Sequence, residues 1–200
     1  MDETSTQDTR TPRFPELPLV GFGFLTHFVW EMFQVPWFAG MAEAPHSSVV
    51  WLCTRATGGD VMILLVCYWF SSVICGHRQW LINGDRKPAV TLVITGVAIT
   101  IFFEWLATGP LDRWEYADSM PITPVIGVGL APLLQWLMLP PLILWLTRRH
   151  MLGVTAVRSG ILTERVVKGG GKNMPLTPAH SAPIRRGGRH LDEECTGSDP

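Results

Sequence analysis

The segment LPLVGFGFLTHFVWEMFQVPWFAGM, from Leu17 to Met41, decides the class of fold. Its residues are mostly large and apolar, and it is long enough to cross about 30 Å of hydrocarbon at about 1.5 Å of helix per residue. It nevertheless contains His27, Glu31 and Gln34. The segment therefore predicts a membrane-spanning helix that carries polar side chains at membrane depth.

Three further segments have the same character, and the four predicted spans are about 17–41, 60–80, 89–108 and 122–147. The whole chain is 47% hydrophobic and 16% charged, whereas soluble domains have roughly 25% charged residues. We therefore predict an all-α integral membrane protein, a four-transmembrane-helix bundle between an N-terminal tail (1–16) and a C-terminal tail (148–200). The prolines of the fourth segment predict kinks or a broken helix there.

The distribution of basic residues predicts the topology. Arginine and lysine are concentrated in the N-terminal tail, the middle loop and the start of the C-terminal tail, at Arg10, Arg13, Arg78, Arg86, Lys87, Arg148 and Arg149. The two other loops have only Arg55 and Arg113. By the positive-inside rule both termini and the middle loop are cytoplasmic, which agrees with an even number of spans in the inner (plasma) membrane.

The tails and cysteines exclude several classes of protein. The acidic N-terminus is not typical of a signal peptide, and a net charge of −1 gives no reason to expect nucleic acid as a partner. Residues 148–167 fit either a surface-lying amphipathic helix or a solvated tail, and the chain beyond them is predicted to be disordered. The four cysteines predict no disulfide framework, with Cys53 in a loop. Self-association, or membership of a larger membrane complex, is left open.

His27, Glu31 and Gln34 lie on one face of the first helix, because their spacing is i, i+4, i+7. Glu104 in the third segment lies at a similar depth in the outer half of the membrane. Asp60 begins the predicted second segment from the same side, either as a helix cap or as a member of the site. Ionisable groups at this depth usually face the bundle interior, so we expect Glu31, Asp60 and Glu104 to form an outward-facing polar pocket.

Further residues are expected to bind a ligand at this pocket. Tyr116 lies in the polar outer loop between the third and fourth segments, and Gln135 is the polar residue of the fourth. Trp105 and Trp136 provide an aromatic wall that could stabilise positive charge. The ordinary alternative is that such aromatic residues are interfacial anchors.

A histidine and two carboxylates at one depth suit proton transfer, so His27, Glu31 and Glu104 are the candidate catalytic residues. The alternative is a hydrogen-bonded polar pair that only fixes helix packing. No histidine-rich cluster, CxxC pair or phosphate-binding loop is present, so we expect no metal and no cofactor. A GxSxG elbow and an HExxH motif are also absent, which argues against a hydrolase.

Several of these motifs together resemble the emopamil-binding, or EXPERA, family of small helical membrane proteins. They are the His27-xxx-Glu31 stripe, GDV at 59–61, the intramembrane Glu104, EYADS at 115–119 and QWLMLP at 135–140. The resemblance implies a helical membrane fold in which histidine and glutamates move protons at an alkene. A tryptophan near an asparagine would stabilise the carbocation, and Gln135 stands here in place of that asparagine.

Three functions fit these observations. The first is binding, with isomerisation by proton transfer, of a hydrophobic ligand such as a lipid or an isoprenoid. The second is a proton-coupled small carrier or channel subunit that uses the same carboxylates as a relay. The third is a non-catalytic membrane accessory subunit whose polar residues only hold helices or partners together.

Overall fold

Five helices make up the regular structure of the described chain. The computed structural model describes residues 14–170, and in chain order the helices are α1 (Glu16–Gln34), α2 (His46–Cys75), α3 (Trp80–Asn83), α4 (Arg86–Thr108) and α5 (Leu130–Gly170). A single 3-10 turn, Val35–Trp37, follows α1. The chain divides into two units, Met1–Ile161 and Leu162–Pro200. The second unit is helical as far as Gly170, and every contact described below lies within the first.

Three of the helices are long and apolar enough to cross a membrane: His46–Cys75, Arg86–Thr108 and the Leu130–Val157 part of α5. The prediction of an all-α protein is confirmed for the described residues. The three apolar helices also support its assignment as a multi-pass membrane protein. α1, which carries the polar stripe, is 19 residues long and is not among these three.

Side-chain and backbone contacts show that each long helix runs antiparallel to the long helix before it in the chain. At one end of the bundle, Arg78 after α2 lies 3.5 Å from Glu16 at the start of α1. At the same end, Arg148 of α5 donates to the backbone oxygen of Ile82 at 3.0 Å. At the other end the chain after α1 pairs with the loop after α4, through a bridge between Phe38 and Tyr116. Here these ends are called the α3 end and the loop end.

The second helix begins well before the predicted boundary. α2 starts at His46, directly after Pro45, so the segment 46–59 that was expected to be a loop is helical. The prediction of a helix start at Asp60 is wrong, since Asp60 lies at mid-helix and is not a cap. Cys53 is likewise helical and buried rather than in a loop. The buried residues of α2 recur at helical spacing from its first turn onward, at Val49, Cys53, Thr57, Val61, Leu64, Cys67, Tyr68, Ser71 and Ser72.

The last helix is displaced toward the C-terminus relative to the prediction. Residues 122–129 form a turn, in which Thr123 Oγ1 donates to the Val128 oxygen at 2.8 Å and Gly127 has a φ of 67°. α5 then continues through Pro140 and Pro141 to Gly170. Residues 148–167, for which a surface-lying helix and a solvated tail were the two interpretations, continue α5 as helix. The predicted disordered ends at 1–13 and 171–200 lie outside the described residues.

The core fills the half of the bundle nearer the α3 end. It consists mainly of large apolar side chains from all five helices: Leu19, Leu64, Cys67, Tyr68, Trp80, Leu81, Leu92, Trp136, Leu139, Ile143 and Leu144. Outside, large apolar side chains are exposed along every long helix, for example Leu25 and Val29 on α1, Trp69 and Phe70 on α2, and Phe102 and Phe103 on α4. Water-soluble proteins rarely expose so much contiguous apolar surface, so this exterior suits a lipid environment.

Candidate functional site

The side-chain amide of Gln135 is the centre of a buried polar cluster. Its Nε2 atom lies 2.8 Å from His27 Nδ1, 2.9 Å from Asp60 Oδ2 and 3.3 Å from Glu31 Oε1. Gln135 is 2% exposed and His27 is fully buried. One amide from α5 thus joins a histidine and a carboxylate of α1 to a carboxylate of α2. Together with Gln34, these four residues are called the polar cluster below.

The α1 stripe enters the cluster as the helical spacing predicts. Gln34 Nε2 donates to Glu31 Oε1 at 2.9 Å, and Trp30 Nε1 donates to Gln34 Oε1 at 3.2 Å. Gln34 is itself buried. Burying a polar group in apolar surroundings costs free energy unless it is hydrogen-bonded, and these bonds satisfy the Gln34 amide within its own helix.

The carboxylate beside His27 is Asp60. His27 Nδ1 and Asp60 Oδ2 lie 3.5 Å apart, whereas Glu31 reaches the imidazole through the Gln135 amide. The predicted His27 and Glu31 pair is therefore part of a three-helix arrangement. The Glu31 and Asp60 carboxyl groups also interact with one another. The three helices meet here because the His27 and Glu31 side chains project from α1 toward Asp60 of α2 and Gln135 of α5.

The imidazole presents an unpaired nitrogen to the interior. An amide N–H donates, so the bond from Gln135 makes Nδ1 the acceptor and puts the ring proton of a neutral His27 on Nε2. Nε2 is buried and has no hydrogen-bond partner among the described residues. The buried hydroxyls of Thr57 on α2 and Thr100 on α4 are also unpartnered. Buried polar atoms are normally paired, so these three groups are candidates for contact with a ligand.

Glu104 lies toward the loop end and is held by the loop that follows α4. Its Oε2 accepts hydrogen bonds from the Tyr116 hydroxyl and, at 3.4 Å, from Trp114 Nε1. The structure therefore brings Glu31 and Asp60 together in the polar cluster, whereas the hydrogen bonds of Glu104 go to the loop that follows α4.

Tyr116 is fixed on both sides by backbone pairing. Ala39 N donates to Glu115 O at 3.0 Å, and Ala117 N donates to Trp37 O at 2.9 Å. The Phe38 and Tyr116 rings are 5.8 Å apart. Burial raises the pKa of the Tyr116 phenol above its ordinary value, and the hydrogen bond to Glu104 raises it further. The phenol is therefore a permanent donor to Glu104 at neutral pH.

The two tryptophans that were predicted to bind a ligand differ in their placement. Trp136 is buried, its ring centroid lies 5.5 Å from that of His27, and it packs against Gly96 of α4. Trp105 is 57% exposed and lies beside Phe102 on the outer face of α4, with the two rings tilted and their centroids 6.2 Å apart, so it is not brought to the polar cluster. Adjacent helical residues point about 100° apart, and Trp105 faces outward because Glu104 faces inward.

Sequence reasoning missed Thr57, Thr100, Trp114 and Gly96 at this site. Thr57 and Thr100 lie about one helical turn before Asp60 and Glu104, and this spacing is the signal that could have identified them. For Thr57 the signal was hidden, because residues 46–59 were assigned to a loop. Gly96 gives no signal of its own, since only the approach of the Trp136 ring shows why a side chain is excluded there.

Glu31 and Asp60, which were expected to line an outward-facing pocket, both accept hydrogen bonds from the Gln135 amide. Two surface cavities lie elsewhere: one of about 470 Å³ beside Arg149 and His150, and one of about 350 Å³ beside Trp69 and His77. Neither is lined by a residue of the polar cluster.

Comparisons with family models, with curated proteins and with solved structures find no match to this chain.

Proposed function

We propose that the protein spans the membrane four times, with α1 as the fourth span. α1 has 19 residues, which corresponds to about 28 Å at about 1.5 Å per residue. Leu25, Val29 and Phe33 of α1 are each more than 60% exposed, which supports a lipid-facing surface on this helix. The basic residues Arg78, Arg86 and Arg148 all belong to the α3 end. By the positive-inside rule, this end is on the cytoplasmic side of the inner membrane.

We propose that the function is to bind a hydrophobic ligand, of the lipid or isoprenoid class, and to move protons on it. The supporting observation is the arrangement of His27, Asp60 and Glu31 around the Gln135 amide. Ionisable groups within a membrane are costly and usually mark a functional site. A packing role alone needs one satisfied polar pair, whereas this cluster holds a histidine, two interacting carboxyl groups and an unpartnered Nε2.

The reaction that these groups suit is isomerisation of a double bond. A protonated carboxyl group adds a proton to one alkene carbon, and a second base removes a proton from a neighbouring carbon, so the ligand keeps its composition. The buried Trp136 face beside His27 would stabilise the intermediate carbocation. This chemistry agrees with the resemblance of the His27-xxx-Glu31 and QWLMLP motifs to the emopamil-binding family.

A proton-coupled carrier, the second candidate, is supported by the series of carboxyl groups from Asp60 to Glu104 and Tyr116 toward the loop end. A relay must also continue to the opposite side. Between His27 and the α3 end lies the apolar core, with Leu19, Leu64 and Ile143 fully buried. The ligand-binding site, which needs access from one side only, is therefore the better supported function.

The experiment is native mass spectrometry of the purified protein, followed by identification of any retained small molecule. We expect a retained hydrophobic ligand in the wild type and about a tenfold or greater loss of occupancy in Asp60→Asn and Glu31→Gln, since a buried polar contact contributes roughly 1–3 kcal/mol. Glu43→Gln is the matched control, because Glu43 is exposed outside the cluster.

Two outcomes distinguish the alternatives. If proton uptake into liposomes requires Asp60 and Glu31 and no ligand is retained, the carrier is the correct function. If the two variants only lower the melting temperature, with ligand content and proton flux unchanged, the cluster is structural and the protein is an accessory subunit.

A further inference from the structure

Three metal-ligating side chains of different chemical type meet at the α3 end. They are the thiol of Cys75, the last residue of α2, the imidazole of His77 and the carboxylate of Asp85, which precedes α4. Cys75 Sγ lies 3.2 Å from His77 Nε2, and the same nitrogen lies 3.8 Å from Asp85 Oδ2. All three ligand atoms lie within 4.8 Å of one another. This group is called the Cys-His-Asp triad below.

The backbone holds the triad in place without a metal. Gly76 has a φ of 77° and reverses the chain between Cys75 and His77. Trp80 is buried and donates to Ser72 Oγ at 2.9 Å, which ties α3 to α2. α3 is also hydrogen-bonded to Arg148 of α5. The segments that carry Cys75, His77 and Asp85 are therefore held in place.

Asp85 occupies the N-cap position of α4, but its side chain does not cap the helix. It is the residue before the first turn of α4, where an aspartate normally accepts a hydrogen bond from a helix N–H. No such side-chain bond forms here. Its Oδ2 atom points to His77 instead. The side chains of Asp85 and His77 are 41% and 44% exposed, so an ion from solution has direct access.

We propose that the Cys-His-Asp triad binds a borderline divalent cation, with Zn²⁺ as the preferred ion. Zinc bonds to sulfur at about 2.3 Å and to nitrogen or carboxylate oxygen at about 2.0–2.2 Å, in tetrahedral geometry. Ligand atoms around such an ion lie roughly 3.3–3.7 Å apart, close to the two separations observed. The thiolate disfavours Mg²⁺ and Ca²⁺, which take oxygen ligands. The sequence-based expectation of no metal overlooked this triad.

The charges are compatible with binding. On binding, the Cys75 thiol releases its proton to solvent, and the thiolate and the Asp85 carboxylate together balance the two positive charges of the ion. Two basic residues are adjacent to the triad in sequence: Arg78 follows His77 and is paired with Glu16, and Arg86 follows Asp85. Three protein ligands leave the fourth position to water or to a ligand from a partner, as in zinc sites that are open rather than purely structural.

The test is titration of the purified full-length protein with Co²⁺, which substitutes for Zn²⁺ and gives a thiolate charge-transfer absorption band. We expect a saturable band that one equivalent of Zn²⁺ abolishes. Cys75→Ser should abolish the band, and His77→Ala and Asp85→Asn should each weaken Zn²⁺ affinity by roughly 10-fold to 100-fold or more, at least the loss seen when groups supporting a ligand are removed.

Matched controls separate the triad from other donors. Cys195→Ser, His46→Ala and Asp118→Asn remove one residue of each type elsewhere in the chain and should leave the band and the affinity unchanged.

Peptide-level mass spectrometry supplies a second measurement: Zn²⁺ should slow alkylation of Cys75, and a chelator should restore it. The proposal is overturned if no saturable band appears, if the band survives in Cys75→Ser, or if the Cys195→Ser variant loses it. The triad lies at the opposite end from the polar cluster, so this result is independent of ligand binding there.

Discussion

Gln135 shows how one neutral amide can hydrogen-bond to several ionisable groups that are buried together. Its Nε2 is within 3.3 Å of one histidine nitrogen and of oxygens from two carboxyl groups. An amide nitrogen has two hydrogens, so three acceptors compete for two donors. In the proposed function, Gln135 positions the acid and the base and does not itself transfer a proton.

Tyr116 provides the residue-scale prediction. Tyr116→Phe removes the hydroxyl that donates to Glu104 and should lower the free energy of unfolding by about 1–3 kcal/mol at neutral pH. Because burial raises the pKa of Tyr116, the neutral phenol stabilises the folded state. This contribution is fully present below the ordinary tyrosine value of about 10 and is lost as the pH rises through the folded-state value.

Thermal unfolding in detergent between pH 7 and pH 11 measures this contribution. The difference between the wild type and Tyr116→Phe should narrow above about pH 10, the ordinary tyrosine value. Tyr68, the other tyrosine, is present in both proteins and cancels in the comparison. A difference that stays constant over the whole range would show that the phenol does not titrate differently in the folded state.

Contacts between helices depend on small residues at a few crossing points. A Cβ atom at Gly96 would lie 2.3 Å from Cε3 of Trp136, and one at Gly23 would lie 2.9 Å from the flexible end of Leu64. Such approaches through glycine are typical of helices packed in membranes. The Gly96 contact also bears on function, because the same Trp136 ring faces His27. The approach of the Trp136 ring to Gly96 thus positions the aromatic wall of the polar cluster.

Gly96→Ala should therefore destabilise the bundle by about 1–3 kcal/mol, the usual cost of overpacking. The added methyl group pushes Trp136 toward His27, so ligand occupancy should fall together with the melting temperature. Gly21→Ala on α1 is the control. No atom lies within 4 Å of a Cβ there, and alanine in a helix is favoured over glycine by about 0.5–1 kcal/mol. If the two variants melt alike, the Trp136 contact does not hold α4 and α5 together.

At the scale of the whole molecule, polar and apolar contacts are separated along the bundle axis. The polar cluster, Glu104 and Tyr116 lie toward the loop end, whereas the core and the Cys-His-Asp triad lie toward the α3 end. The proposed topology, in which α1 and the three apolar helices all cross the membrane, puts alternate connections on opposite sides. The sidedness of the two candidate sites therefore follows from one measurement.

Reporter fusions supply that measurement. A reporter joined after Gly109, which follows α4, should be active outside the cytoplasm. A reporter joined after Gly84, which follows α3, should be active inside. The two positions are matched because each is an exposed glycine directly after a helix. Activity of both fusions on the same side would contradict a membrane-spanning α4.

The sequence predicted much of the site because helical periodicity is a local property. The spacing of His27, Glu31 and Gln34 placed them on one face, and the depths of Glu31 and Glu104 placed these carboxylates near one another. The same reasoning placed the start of the second helix wrongly at Asp60, since two adjacent glycines and a polar stretch resemble a loop. In the folded chain the residues of 46–59 are helical because Val49, Cys53 and Thr57 are buried against neighbouring helices, and that stabilisation is not visible in a single segment.

The sequence by itself determined the membrane class, the helical elements and the polar stripe of α1, because these depend on hydropathy and on a period of 3.6 residues. Only the tertiary structure decided that Gln135 joins His27 to Asp60, that Trp105 faces outward, and that Cys75, His77 and Asp85 meet. Each of these facts joins residues on different segments or depends on the register of one helix against another. Register is set by steric fit, as at Gly96 and Trp136, and steric fit is a property of the packed bundle.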